Sequence, residues 1–178
     1  MHRTLARRLA PLAALAVLGA ALTAFAPVAS ARFGPPWISI EYPPSPYDRV
    51  TRDALLLVHS YHHFTPVGLP VSGTAEGVVD GKRRSVKLEF ETTSKPGVFA
   101  LRRQWPRQGA WVLSIAVTQG EGEHNTAGAL VTLDADGKVS KVDVPLRQIA
   151  GFEVPTPRRI TAAEVEAALQ AQVRLAAR

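Results

Sequence analysis

The chain has 178 residues, a formal charge of +6 and no cysteine. It is long enough for one domain with a substantial core, and it excludes a disulfide-stapled scaffold and any cysteine-anchored lipid or cysteine-ligated metal. Half of the charge excess belongs to Arg3, Arg7 and Arg8 at the start of the chain, leaving 18 basic residues against 15 acidic ones, too even a balance for a nucleic-acid partner.

Residues 1–31 read as a secretory signal peptide. Three arginines precede an apolar run from Leu9 to Phe25, broken only by Pro11, Gly19 and Thr23, and Ala29-Ser30-Ala31 supplies the small residues that a signal peptidase needs. Cleavage after Ala31 would leave a chain of 147 residues beginning at Arg32. Retention of the leader as an anchor is the alternative. No later apolar run approaches the ~20 residues of a membrane span, so a secreted or periplasmic domain is expected once the leader is removed.

Residues 32–48 are proline-rich and enclose the strand-like run Trp37-Ile38-Ser39-Ile40-Glu41, which the flanking prolines assign to a sheet edge. Residues 49–146 carry the strands of the expected domain. From Ala54 the chain is apolar on both parities, as in a central strand. Pro66 to Gly73 punctuates two short extended pieces. From Arg84 the alternation of Val86, Leu88 and Phe90 with Lys87, Glu89 and Glu91 predicts a half-buried antiparallel strand.

Ser94-Lys95-Pro96-Gly97 has proline and glycine where a type II turn wants them, because the third position needs a positive φ. Phe99 and Leu101 then share a face. In the next strand Trp111, Leu113, Ile115 and Val117 face one way while Val112, Ser114, Ala116 and Thr118 oppose them. Ala127 to Leu133 and Val139 to Val144 form a further pair across Asp134-Ala135-Asp136-Gly137. These short alternating runs predict an all-β fold, an antiparallel sandwich of about seven strands.

Residues 147–160, with Pro155 and Pro157, read as an extended and exposed linker. Residues 161–178 change character. Thr161 and Glu164 have the spacing of a capping box, and Val165, Leu169 and Val173 recur every four residues, which predicts an amphipathic C-terminal helix with a narrow apolar stripe. That stripe suits loose docking on the domain or contact with a partner.

Three segments together, Gly68 to Gly77, Pro96 to Leu101 and Gly109 to Ile115, resemble the immunoglobulin-like domains of exported bacterial proteins of the YtkA-like and carboxypeptidase-regulatory-like groups. The resemblance covers residues 50 to 145 and implies an immunoglobulin-like sandwich rather than a reaction. Copper-binding members of this fold use a histidine at the mature N-terminus, where this chain is expected to present Arg32.

Three residue groups bear on chemistry. His59, His62 and His63, with His124 in the acidic loop Glu121 to His124, are the candidate metal ligands, since imidazole is the commonest transition-metal donor and a site needs three or four donors. On an extended strand, His59 and His63 share a face roughly 13 Å apart at ~3.3 Å per residue, while His62 faces away. A bend at the strand end would be needed to bring His62 and His63 together. Arg102, Arg103 and Trp105 are the candidate ligand-binding group, two guanidinium groups and a stacking surface suited to an anionic envelope polymer. Asp134-x-Asp136-Gly137 lacks a glycine at the sixth position and a glutamate at the twelfth, so it reads as a turn rather than a calcium loop.

No nucleophile elbow, zinc-peptidase helix, phosphate loop or dinucleotide fingerprint occurs, and a triad of Ser60, His62 and Asp53 is a combination that any chain offers. The expectation is a non-enzymatic exported module of the bacterial cell envelope, without a cofactor, that binds or supports an envelope protein or polymer. The alternative is a periplasmic metal-binding protein using the histidine cluster.

Overall fold

A computed structural model describes residues 34–176, so the leader lies outside the described residues. In chain order the strands are β1 (Pro36–Glu41), β2 (Leu56–His62), β3 (Thr65–Pro66), β4 (Val71–Val79), β5 (Lys82–Lys87) and β6 (Glu91–Thr92). They continue with β7 (Val98–Leu101), β8 (Ala110–Thr118), β9 (Thr126–Leu133), β10 (Val139–Asp143), β11 (Leu146–Ile149) and β12 (Phe152–Pro155), and one helix, α1 (Ala162–Ala176), follows. Twelve strands among the described residues exceed the seven expected, because short edge pieces and one hairpin add to the main set.

Every pairing is antiparallel. One sheet runs β1-β2-β7-β6, with β3 also on β2, and the second runs β10-β9-β8-β4-β5. The alternation read from the sequence explains why they face each other. Leu56, Val58 and Leu101 from the first sheet enter one apolar cluster with Trp111, Leu113, Ile115 and Val117 of β8 and Ala129 and Val131 of β9. β1 sits at an edge, where its flanking prolines cost no ladder bond.

β9 is buried along its whole length, and one facing sheet cannot bury a strand on both sides. The second cover is α1. Val165 and Leu169 pack on Val112 and Leu130 in a cluster of their own, with Leu169 only 1% exposed. The narrow stripe therefore docks on the sheet, contrary to the looser docking or partner contact expected of it. All apolar clusters among the described residues lie within the compact unit Gly34–Arg178, which holds its own core.

Two glycines permit these close approaches. A side-chain carbon on Gly77 of β4 would lie 2.4 Å from the Trp111 ring, so the indole rests on bare backbone. A side-chain carbon on Gly128 of β9 would lie 2.9 Å from both the Arg158 carbonyl oxygen and the Ile160 nitrogen, so the chain leading to α1 crosses β9 there.

Three sequence expectations change here. The alternating run from Val86 to Phe90 is not one strand: β5 stops at Lys87, and the chain leaves the second sheet to join the first as β6. At the crossing the Gln104 side chain replaces the ladder, its amide accepting from Glu89 N–H at 2.8 Å and donating to the Glu89 carbonyl at 2.6 Å. Second, residues 147–160 are not an extended linker, because β11 and β12 pair from Leu146↔Pro155 to Ile149↔Phe152 around Ala150-Gly151. Both turn residues have positive φ, at 49° and 85°, the geometry of a type I′ turn, and alanine hides a signal that asparagine would have announced. Third, the segment after the hairpin is half-buried apart from Arg159, held against Gly128, rather than exposed.

The turn expected at Ser94 to Gly97 forms one residue later, over Lys95 to Val98, which puts Gly97 in the third position at φ 71° with Val98 N–H donating to the Lys95 carbonyl at 3.2 Å. The capping box also forms. Glu164 N–H donates to Thr161 Oγ1 at 3.2 Å and Thr161 N–H returns to Glu164 Oε2 at 2.8 Å. Arg158 adds two hydrogen bonds to the same carboxylate, at 2.8 and 2.7 Å, and these chiefly hold its pKa down to about 2. A carboxylate with a depressed pKa contributes stability above its unfolded value of 4.5, and the contribution is lost as pH falls toward about 2. Acid titration of the melting temperature is expected to show a fall across that window that Glu164→Gln reduces; an identical pH profile in the variant would contradict the link.

Candidate functional site

The four candidate histidines occupy different surroundings. His59 lies on the outer face of β2, where Nε2 is 2.8 Å from Glu41 Oε2 and the ring stacks on Tyr61 with centroids 6.2 Å apart. His62 is on the opposite parity, and its Nε2 is buried without a hydrogen-bond partner. His63 and Phe64 form a two-residue turn between His62 and Thr65, with φ values of 49° and 62°. This left-handed pair, unfavourable for non-glycine residues by roughly 1–2 kcal/mol each, is the bend that the strand geometry required. It brings the His62 and His63 rings to 4.2 Å, edge to face.

The extended geometry on which His59 and His63 would share a face ends at this bend. His124 sits exposed in the single helical turn Glu123–Asn125 between β8 and β9. Among the described residues no three histidine or carboxylate side chains converge to hold a metal ion. The structure brings together only His62 and His63 of the four candidates.

The basic and aromatic group also differs from its expected form. Trp105 is 4% exposed, packs 6.3 Å from the Trp111 ring and carries the Arg103 guanidinium 5.5 Å above it. It offers no open stacking face. Arg103 in turn donates to the Gly137 carbonyl in the β9–β10 turn, occupying the space a side chain at Gly137 would need. Arg102 pairs with Glu91 and donates to the Val50 carbonyl at 3.2 Å. The trio closes one end of the core, tying three loops together, rather than framing an anion site.

The residues weighed as a triad are equally committed. The Ser60 hydroxyl is fully buried and donates to the Val67 and Gly97 carbonyls, which joins β2 to two neighbouring turns. Asp53 precedes β2 and faces Arg52 at 3.8 Å, at the opposite end of the strand from His62. Neither geometry supports attack on a substrate.

Large apolar side chains are exposed singly at Tyr42, Tyr47, Val50 and Leu175, and three are grouped on one element. The β11–β12 hairpin forms a two-stranded sheet apart from the two large ones, and Leu146, Ile149 and Phe152 are 51, 43 and 73% exposed. Directly opposed residues share a face in an antiparallel pair, so Arg147, Ile149, Phe152 and Val154 line one face. The other is polar at its centre, where Gln148 donates to Glu153 at 3.1 Å. Phe64, 76% exposed, stands near the hairpin base: its ring meets Trp37 at 4.5 Å, and Trp37 lines a shallow depression with Pro155, Thr156 and Pro157. The sequence reading missed this surface, although the alternation of Arg147, Ile149, Phe152 and Val154 about Ala150-Gly151 was its available signal.

Comparisons with protein-family models, with curated proteins and with solved structures return no match. If Trp105 plugs the core, Trp105→Ala is expected to lower unfolding stability by about 3–5 kcal/mol in urea titration, while Arg102→Ala leaves the midpoint nearly unchanged; a small Trp105 effect would return that ring to the ligand-binding candidates.

Proposed function

We propose that the chain is an exported, non-enzymatic binding or scaffold module of the bacterial cell envelope, built on an immunoglobulin-like sandwich. The sheet orders support that fold when β1-β2-β7-β6 are read as its strands A-B-E-D and β4-β8-β9 as C-F-G, with β5 beside C and β10 added after G. The leader motif of residues 1–31 supports export to the periplasm or beyond. The committed serine, the dispersed histidines and the covered tryptophan favour binding over catalysis. The metal-handling alternative lacks a third donor beside His62 and His63 among the described residues.

One observation carries the binding reading: the β11–β12 hairpin exposes three large apolar side chains yet contributes none to the apolar clusters that hold the fold. A two-stranded hairpin is marginal in water on its own, and exposed apolar side chains on one are favoured by a partner that covers them. Thr156 N–H donates to the Pro145 carbonyl at 2.7 Å, so the chain already closes at the hairpin base. Replacing Leu146 to Pro155 by a short glycine-serine link is expected to keep the melting temperature and abolish the partner crosslinked to the intact chain in native envelopes. Unchanged crosslinks in the shortened variant would contradict binding through this surface.

A further inference from the structure

The base of the hairpin lies beside the start of β1, where the chain enters the fold. Gly34 leads directly into β1, and Pro36 and Trp37 line the depression shared with Pro155, Thr156 and Pro157 at the hairpin base. The segment preceding Gly34 carries the apolar run Leu9 to Phe25. On the exported reading, a leader of this kind would occupy the bilayer during export, so the domain would pass a membrane surface.

Three features of this end match the chemistry of a lipid interface. Ile149 and Phe152 face each other beside the turn, so the apolar side chains sit at the tip rather than the base. Arg147 lies on the same face one step behind them, a cationic group beside the apolar pair, and Arg159, two residues after Pro157, is also exposed. Phe64 adds a second exposed aromatic ring on a tight turn, joined to the hairpin base through Trp37. Aromatic and aliphatic tips flanked by arginine are favoured where an apolar interior meets anionic headgroups.

We propose that the β11–β12 hairpin, with Phe64 beside it, docks on an anionic phospholipid surface, Ile149 and Phe152 entering the interface and Arg147 and Arg159 meeting the headgroups. This rests on the exported binding-module reading and names its partner class. No helix among the described residues is long and apolar enough to cross a membrane, and docking requires none.

The test is cosedimentation of residues 32–178, which include every apolar cluster among the described residues, with vesicles of phosphatidylcholine alone and of phosphatidylcholine with phosphatidylglycerol. Binding is expected only to the second, weakened at least about tenfold by Ile149→Ser with Phe152→Ser, and also reduced by Arg147→Gln. Because these side chains are exposed, the melting temperature of each variant is expected to stay that of the parent. Failure to bind either vesicle, or binding that the double variant leaves intact, overturns the proposal. Light scattering that finds a dimer in the parent and a monomer in the double variant would assign the face to a second copy and overturn it too. If vesicles fail while the envelope crosslink still depends on the hairpin, the partner is a protein and the binding-module reading survives; if both fail, both fall.

Discussion

The second sheet needs a cover on each side, and that requirement organises the molecule. β8 and β9 present apolar side chains to both faces: Leu113, Ile115 and Val131 toward the first sheet, Val112 and Leu130 away from it. Leaving the outward set in water would forfeit about 1.5–3 kcal/mol per large side chain, which is why α1 lies where it does. Its Val165 and Leu169 fill the outer face, the Thr161 and Glu164 box fixes its start, and Gly128 clears the path of the chain that delivers it. Arg83 adds an ion pair from β5 to Glu166 of the helix.

The same constraint separates scaffold from surface. With the core closed by α1 on one side and by the Trp105 and Arg103 plug at one end, Ser60, Arg102, Arg103 and Trp105 are engaged in contacts within the fold. The hairpin is the reverse case. It has its own ladder, lies outside every apolar cluster among the described residues, and carries Ile149 and Phe152 where water meets them. A fold whose stability does not depend on a protruding element is free to use that element for contact.

Much of the architecture was legible because strand periodicity is a direct consequence of one-sided burial. Phe99 and Leu101, then Trp111 to Val117, face the shared core as their spacing requires, and the glycine at position 97 and the cap at Thr161 fall where backbone conformation demands them. What was not legible depended on unlike residues in left-handed turns. Ala150, His63 and Phe64 take positive φ without the asparagine or glycine that signals it, so the hairpin and the bend joining His62 to His63 were hidden. The end of β5 was equally opaque, since Leu88 stays buried while the chain changes sheets and Gln104 takes over the backbone bonds. Apolar periodicity records burial, not which sheet does the burying.

The central claim is that a doubly covered sheet carries the stability while the hairpin stands apart from it. Residue-resolved amide hydrogen exchange on residues 32–178 tests this most directly. The account predicts that β8 and β9 exchange only through global unfolding, with the β11–β12 amides orders of magnitude faster. Protection of the hairpin equal to that of β9, or rapid exchange in β9 itself, would contradict it.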